Sequence, residues 1–433
     1  MEYIPNIIFL ILLIAGTGFF IRNSKKIIRN IKLGYKVDAS DHKKERWTNV
    51  IRIALGQSKM VVRPLAGILH IIVYVGFIII NIEVLEIIID GLFGTHRIFS
   101  GLGSIYGFLI ASFEILALMV LVSVSIFWLR RMVKRIPRFW SKEMTKWPKN
   151  DALYILYFEM VLMSLFLIMN ATDSHFQAAN SGNIISQFIA PIFSGLGEGT
   201  LHLIERSAWW IHITGILIFL NYLYYSKHLH ILLAFPNVYY GSVQPKGKFK
   251  NLESVTNEVK LMMDPNVDPF AAPAEGAEVP AKFGASDVLD LSRTQLLNAY
   301  TCTECGRCTS SCPANQTGKK LSPRKIMMDT RDRLEEIGKN IDLNGEFKPD
   351  NKQLLDDYIT REELWACTTC NACVEACPIS IDPLSIIMDM RQYLVMEQSA
   401  APNELNVSMT NIENNGAPWP YNQMDRLNWK DEK

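Results

Sequence analysis

The chain is 433 residues long, which leaves room for two or three domains, and its 44 basic and 43 acidic residues give a net charge of +1. A balance so close to neutral does not suggest a nucleic-acid-binding protein. Hydrophobic residues make up 49% of the chain, and the long apolar runs lie almost entirely in its first half. We therefore expect a membrane half followed by a soluble half.

Five apolar stretches are long enough to cross a bilayer core of roughly 30 Å, which takes about 20 helical residues. They cover approximately residues 4–21, 65–89, 102–129, 153–170 and 208–235. No small-residue cleavage site follows the first stretch, so we expect it to be a retained span and not a removed signal.

The loops between these stretches differ sharply in basic residues. Residues 22–64 carry twelve Lys or Arg and residues 130–149 carry eight, whereas residues 90–101 and 171–207 carry only Arg97 and Arg206. The positive-inside rule then predicts an N-terminus outside the cell and a cytoplasmic location for everything after about residue 235. We expect an integral protein of a bacterial or archaeal cytoplasmic membrane, in contact with membrane lipid.

Four histidines lie at membrane depth. His70 is about one and a half turns into the second span, His212 is near the outer end of the fifth, and His228 and His230 are near its inner end. Two imidazoles that face each other across a bundle can hold a b-type haem, although a helix–helix hydrogen bond is the simpler alternative. His70 and the His228/His230 pair should lie at similar heights, so we predict one haem near the cytoplasmic face. A second haem on His212 stays open, with three candidate partners in or near the outer loops: His175, His96 and His202.

Four carboxylates also fall within the spans, namely Glu83, Glu86, Glu114 and Glu159. Glu83 and Glu86 share one helical face at positions i and i+3. Charges at this depth are costly, so these side chains should face a cavity, one another or a proton path. They are the candidate proton exchangers of a quinone site. Helix packing through buried hydrogen bonds is an equally good explanation.

A juxtamembrane segment and flexible linker are predicted over residues 237–286. Residues 264–286 contain four prolines and six alanines without apolar periodicity. The linker could instead occupy a groove of a partner. The membrane domain is accordingly assigned to residues 1–236.

Two cysteine runs, 301–313 and 366–378, follow the linker, and each reads C-x-x-C-x-x-C-x-x-x-C-P. This spacing brings three thiolates to one [4Fe–4S] cluster and sends the fourth to a neighbouring cluster. Eight cysteines in two identical runs exceed what a zinc knuckle uses, and disulfides do not suit a cytoplasmic domain. We assign the first cluster to Cys302, Cys305, Cys308 and Cys377, and the second to Cys367, Cys370, Cys373 and Cys312.

Helices are predicted after each cysteine run, beginning at Pro323 and Pro383, and a further helix over residues 354–365. The 54 residues between Cys312 and Cys367 favour an α-helical ferredoxin over a compact β-hairpin type. The predicted fold class is thus mainly α, with a five-helix transmembrane bundle and a cytoplasmic dicluster ferredoxin domain at residues 287–400. Residues 401–433 show little helical pattern but three large aromatics, and we interpret them as a docking tail.

These stretches resemble two known families. Residues 285–430, through both cysteine runs and Leu321-Ser-Pro-Arg-Lys-Ile-Met327, are similar to the C subunit of heterodisulfide reductase and related α-helical ferredoxins. The membrane part resembles the cytochrome b (gamma) subunit of respiratory nitrate reductase and the membrane half of fused iron–sulfur oxidoreductases. Its matching stretches are Gly67-Ile-Leu-His70, Trp209-Trp-Ile-His212 and Ser226-Lys-His-Leu-His230.

The resemblance implies that His70 and His230 are the ligands of the haem near the cytoplasmic face, with His228 as a competitor, and that His212 is a distal ligand. It also implies exchange of electrons with a quinone, and a catalytic partner built on C-C-G cysteine motifs. This chain has no such motif, so we expect that partner to be a separate subunit, or an electron-transfer flavoprotein to take its place. The distal haem is in doubt because Ile80 and Asn81 occupy the position where the second span would need an outer histidine.

The predicted function is that of an electron-transfer subunit of a quinone-linked oxidoreductase, with haem b and two [4Fe–4S] clusters. Charged and polar neighbours of the cysteines would tune the cluster potentials, namely Glu304, Arg307, Asn371 and Glu375. The alternative is a haem-free membrane anchor or redox-sensing iron–sulfur protein that tethers a soluble enzyme.

Overall fold

The computed structural model describes residues 3–249, 251–265 and 282–431. In these ranges the chain forms helices joined by turns, without strands, and two isolated bridges join Tyr35 to Ser292 and Leu355 to Ile359. The mainly α fold class expected from the sequence is therefore confirmed.

The membrane half begins with eight α-helices in the described residues: α1 (Ile4–Lys32), α2 (Lys43–Asn49), α3 (Pro64–Phe93), α4 (Ser104–Met132), α5 (Lys146–Thr172), α6 (Ser174–Ala179), α7 (Ser186–Ile189) and α8 (Glu198–Tyr222). Five of them, α1, α3, α4, α5 and α8, are long and apolar enough to cross a membrane. Packed neighbours run in the order α3, α4, α5 and α8, and α1 contacts both α3 and α8. The five predicted spans thus form a closed bundle, with α1 between the second and fifth spans.

The fifth span ends earlier than the sequence predicted. Helix α8 stops at Tyr222, and two 3-10 turns, Leu223–Tyr225 and Lys227–Leu229, lead into α9 (His230–Tyr240). Between the turns Ser226 is extended, and its hydroxyl accepts a hydrogen bond from the amide of His228 at 3.0 Å. A serine that caps the backbone in this way competes with helix continuation. The predicted end of the span at residue 235 is wrong, because the spanning helix stops before His228, which lies in a turn, and before His230, which begins α9.

The remaining described helices are α10 (Glu253–Met263), α11 (Arg293–Thr301), α12 (Arg307–Ser311), α13 (Pro313–Gln316), α14 (Pro323–Asn344), α15 (Leu354–Asp357), α16 (Arg361–Trp365), α17 (Ala372–Ala376), α18 (Pro383–Met396) and α19 (Asn403–Asn415). The helix predicted over 354–365 is two short pieces, because Asp356 takes a positive φ of 70°. The tail is more helical than predicted, with α19 followed by a 3-10 helix at Gln423–Lys430.

The two cysteine runs have the same backbone as well as the same spacing. Glu304 and Gly306 have positive φ angles of 54° and 69°, and Thr369 and Asn371, at the equivalent positions, have 55° and 59°. Left-handed residues let a short loop curl back on itself. Each run can therefore present three cysteines to one centre before its short helix begins.

The cluster domain packs directly on the membrane half. Ile27 of α1 and Leu229 share a buried apolar core with Leu296 and Ile337 of the cluster domain. The Tyr35 amide donates to the Leu291 carbonyl at 3.1 Å. The contact of the two halves is therefore built from main-chain hydrogen bonds as well as from side chains.

Part of the predicted linker lies outside the described residues, namely 250 and 266–281. Its last residues belong instead to the cluster domain. Ala285 is buried and its amide donates to the Asp389 carbonyl at 3.0 Å. The boundary predicted at residue 286 is therefore too late, and the described cluster domain begins by Lys282.

Candidate functional site

The first predicted cysteine set comes together in one pocket. Cys302, Cys305 and Cys308 line it from the first run and Cys377 closes it from the second. Burial is the largest factor that raises the pKa of Cys302 to about 12 and that of Cys377 to about 11, and neighbouring thiols add to both shifts. The other lining residues are Thr303, Gly306, Arg307, Arg324, Met327, Pro378, Ile379, Ile381 and Pro383.

The second predicted set is also assembled from both runs. Cys312 and Cys373 are buried, Cys367 is half-buried and Cys370 is exposed. Burial raises the pKa of Cys373 to about 12, with further contributions from Asp382 and from the thiols of Cys367 and Cys312. This second group lies closer to the aqueous surface than the first.

All eight cysteines are free thiols in the structure. Ionised thiolates would be costly in such crowded and buried groups without a compensating cation, and metal binding supplies that compensation. Two four-thiol groups, each completed by the other run, fit two [4Fe–4S] clusters. The structure thus suits the metal centres that the spacing predicted.

Charged side chains around the first pocket come from both halves of the chain. Arg307 donates to the sulfur of Met60 at 3.0 Å and lies beside the loop before α3. Arg324 is fully buried and bonds Glu143, in the loop between α4 and α5, at 2.6 Å. Lys59 Nζ reaches the Val374 carbonyl at 3.3 Å. The membrane half therefore contributes to the electrostatic surroundings of the first cysteine group.

A buried ion pair joins this pocket to the histidine turn. Lys227 contacts Glu304, which lies between Cys302 and Cys305, and Arg331 binds the same carboxylate at 2.8 Å. Burial alone would raise the pKa of Glu304, but Lys227 and Arg331 hold it below its usual value. Glu304 therefore serves as a fixed acceptor between the two sites.

His70 and His230 face each other at 6.4 Å between ring centres. A metal–imidazole bond is about 2 Å long, so two imidazoles on opposite sides of one ion have ring centres roughly 6 Å apart. His230 Nδ1 is 3.1 Å from the Lys227 carbonyl, which leaves Nε2 available as a ligand. His70 Nδ1 is buried without a hydrogen-bond partner among the described residues. The pair could therefore hold the iron of a haem between the two rings.

His228, the competing candidate, makes different contacts. Its Nε2 lies 3.7 Å from Glu159 of α5, and its ring packs on Phe219. Its ring is perpendicular to that of His230 at 5.4 Å. Since Glu159 offers it a polar partner, the geometry favours His230 over His228 as the partner of His70.

The distal candidate His212 is buried in α8 against α5. Its Nδ1 is 3.0 Å from the Leu162 carbonyl, and its ring lies against Phe166. Among the described residues, no other imidazole is in ring contact with His212. The three alternatives lie elsewhere: His96 pairs with Asp173, and His175 and His202 are exposed.

The four carboxylates separate into three environments. Glu114 is fully buried and accepts hydrogen bonds from Asn170 at 3.0 Å and from the amides of Ile185 at 2.7 Å and Ser186 at 3.0 Å. These contacts tie the segment at residues 185–186 to α4, which fits the helix-packing explanation. Glu159 lies beside His228, and Glu83 and Glu86 lie together in the C-terminal half of α3.

Sequence reasoning did not single out Lys227, Lys59 or Arg324. Lys227 stands inside the Ser226–His230 motif, so its position was visible, but its partner Glu304 is 77 residues away. In the sequence, Arg97 serves only as a marker of membrane orientation. It is the one basic residue of the loop at 90–101, and that rarity is the available signal.

Comparison with known proteins supports the iron–sulfur assignment. The family described as 4Fe-4S dicluster domain matches residues 301–381. The chain is 30% identical to the Probable iron-sulfur-binding oxidoreductase FadF of Bacillus subtilis, over 98% of this chain and 61% of that protein. It is 24% identical to the EtfAB:quinone oxidoreductase of Syntrophomonas wolfei, over 99% of this chain and 60% of that protein.

A shorter match covers the cluster domain. The chain is 32% identical to the C subunit of the Ferredoxin/F(420)H(2)-dependent CoB-CoM heterodisulfide reductase of Methanosarcina acetivorans, over 30% of this chain and 66% of that protein. No solved structure matches the chain. Its homologues are iron–sulfur oxidoreductases and heterodisulfide-reductase-type ferredoxins, and it spans about 60% of the length of the first two. The resemblance of the membrane half to the nitrate reductase gamma subunit stays a prediction.

Proposed function

We propose that this chain is the electron-transfer subunit of a membrane-bound, quinone-linked oxidoreductase. It would connect the quinone pool, haem b and two [4Fe–4S] clusters with a cytoplasmic partner. Its N-terminus would lie outside the cell and its cluster domain in the cytoplasm. When bound, the haem and the clusters supply one-electron redox chemistry. The chain's own residues hold these groups in order and bury them.

One observation carries this proposal: an ion pair ties the turn next to His230 to the loop that carries the first cysteine group. Lys227 follows Ser226 in the turn that delivers His230, and the same lysine binds Glu304 between two candidate cluster ligands. A rigid, buried ion pair between the two sites keeps their separation constant. Such positioning is what a protein contributes to electron transfer between cofactors.

The second cysteine group is the one through which electrons would pass to or from a soluble partner. Cys370 is exposed, whereas Cys302 of the first group is buried. A soluble partner could therefore approach the second group without entering the membrane half. The relative named EtfAB:quinone oxidoreductase favours an electron-transfer flavoprotein as that partner. A C-C-G-type catalytic subunit is the other candidate, and the tail at 401–433 would help it dock.

Spectroscopy of the purified full chain tests the proposal. We expect about eight non-haem iron atoms per chain, and a b-type α band after reduction with dithionite or a quinol analogue. His70→Ala and His230→Ala should each abolish or shift the haem band, whereas His228→Ala should retain it. An unchanged band in both of the first two variants would refute the assigned ligands.

The alternative, a haem-free anchor or redox sensor, makes the opposite prediction. A haem-free protein would contain the iron of its clusters but would show no b-type α band. If haem is present but a quinol analogue fails to reduce it, the haem assignment survives and the quinone assignment is wrong.

A further inference from the structure

The outer half of α3 contains a buried pair of carboxylates. The side chain of Glu83 lies against that of Glu86 one turn further on, and Glu83 is only 3% exposed. Glu83 Oε2 has no hydrogen-bond donor among the described residues. Glu86 has two hydrogen-bond donors, because it accepts from the Phe99 amide at 2.8 Å and from the Tyr106 hydroxyl at 3.1 Å.

Two carboxylates in contact at this depth can bond each other only through a shared proton. Two negative charges side by side in a low-dielectric environment repel strongly, so one carboxyl of the pair keeps its proton. The charged groups that face the pair are Asp90 on the same helix and Arg97 from the following loop. Asp90 is already satisfied by Thr95 and by the amides of Arg97 and Ile98. The exchangeable proton therefore belongs to Glu83 and Glu86.

A continuous chain of polar contacts runs from this pair to the outer surface. Tyr106 accepts from Arg97 at 3.2 Å, and Arg97 donates to Asp173 at 2.8 Å. His96 Nε2 lies 3.3 Å from Asp173, and its side chain is 47% exposed. Together these contacts link four segments of the chain: α3, the loop after it, α4 and the end of α5.

Several charged side chains lie at the exposed end of this chain of contacts, around His96. Glu205 lies close to both His96 and Asp173 and pairs with Arg206. Burial opposes ionisation of Asp173, yet His96 and Arg97 keep its pKa below the usual value. Asp173 therefore stays ionised beside His96.

We infer that Glu83 and Glu86 form a proton-exchange site that opens to the outer face along the polar surface of Tyr106, Arg97, Asp173 and His96. Arg97 stays protonated and donates to both Tyr106 and Asp173, so solvent water carries the proton past it. The ligand of this site is the proton itself. The inference deepens the proposed function, since protons released or consumed by quinone chemistry in the membrane half would then exchange with the outer side.

Labelling with dicyclohexylcarbodiimide tests the inference, because this apolar reagent modifies protonated carboxyl groups at lipid depth. The full chain is labelled in sealed vesicles of known orientation, and the modified residues are identified by mass spectrometry. We expect modification at Glu83 or Glu86 and its loss in the double variant Glu83→Gln/Glu86→Gln. Glu114, whose carboxylate accepts three hydrogen bonds, is the matched control and should stay unmodified.

The side of access is tested by changing the pH on one side of the vesicle at a time. Raising the outer pH above the titration range of the pair should lower its labelling roughly tenfold per pH unit. Raising the inner pH should leave it unchanged. His96→Gln, an exposed substitution that folding should tolerate, should slow the response to outer pH. Labelling that follows the inner pH, or that fails at both carboxyls, would overturn the inference.

Haem and cluster spectra of the same preparations separate this inference from the proposed function. A labelled, outer-accessible pair in a protein without haem would refute the proposed function and leave the proton site intact. Normal haem and cluster spectra with an unlabelled pair would refute the proton-exchange site and leave the proposed function intact.

Discussion

The ion pair between Lys227 and Glu304 provides the sharpest test of how the two halves are joined. Lys227→Met keeps the length and the apolar stem of the side chain but removes its charge. The lysine is 9% exposed and Glu304 is 2% exposed. The substitution also removes a 2.6 Å hydrogen bond to the Pro148 carbonyl.

The expected loss of stability follows from the carboxylate of Glu304, which stays buried without Lys227. Removing one partner of a buried ion pair costs about 3–5 kcal/mol. Arg331 still binds Glu304 at 2.8 Å, so we expect the lower end, about 3 kcal/mol. Since about 1.4 kcal/mol corresponds to a factor of ten, the local opening equilibrium should rise roughly 100-fold.

Hydrogen exchange of the purified full chain measures this opening directly. Amides in the turn at 223–231 and in the loop at 302–308 should exchange roughly 100-fold faster in Lys227→Met. Lys319→Met, an exposed charge removal on the cluster domain, should leave both segments unchanged.

A compensating substitution separates charge from packing. Adding Glu304→Gln to Lys227→Met removes the carboxylate that Arg331 alone is left to compensate, and should restore part of the protection. The reasoning is refuted if Lys227→Met exchanges like the unmodified protein, or if the double variant is no better protected than the single one.

Three further outcomes are expected. Cys370→Ser should lower the non-haem iron content by about half and remove one of two cluster signals in electron paramagnetic resonance, because Cys370 belongs to the second set alone. Loss of all non-haem iron would contradict two separable sites. Gly34→Val should destabilise the contact between the halves by about 1–3 kcal/mol in hydrogen exchange, because a Cβ there would lie 2.6 Å from the Leu291 carbonyl oxygen. Gly18→Val, where a Cβ meets nothing within 4 Å, is the control and should have no such effect. Lys59→Met should lower the midpoint potential of the first cluster in a redox titration, because a positive charge beside Cys377 favours the reduced cluster; an unchanged potential would place this lysine outside its electrostatic range.

Local sequence patterns were sufficient for the elements of this fold. Apolar length identified the five membrane helices, because a bilayer requires long apolar helices whatever their neighbours are. The repeated spacing of cysteines predicted the positions of both loops, and Pro323 and Pro383 marked the starts of α14 and α18.

Element ends were less predictable. The predicted fifth span is longer than α8 because residues 223–235 are apolar enough to continue a helix. The Ser226 hydroxyl ended it instead, by bonding the His228 amide. The break at Asp356 had no comparable signal, since a positive φ at a non-glycine residue depends on the surrounding packing.

By itself, the sequence determined what could be read from spacing and composition: five spans, two four-cysteine runs and histidines at a common depth. The tertiary structure decided which of these residues meet. It placed His230 opposite His70 and His228 beside Glu159, and gave Glu114 three donors. These choices depend on the directions in which distant segments pack, and contacts across 50 to 300 residues leave no local pattern in the sequence.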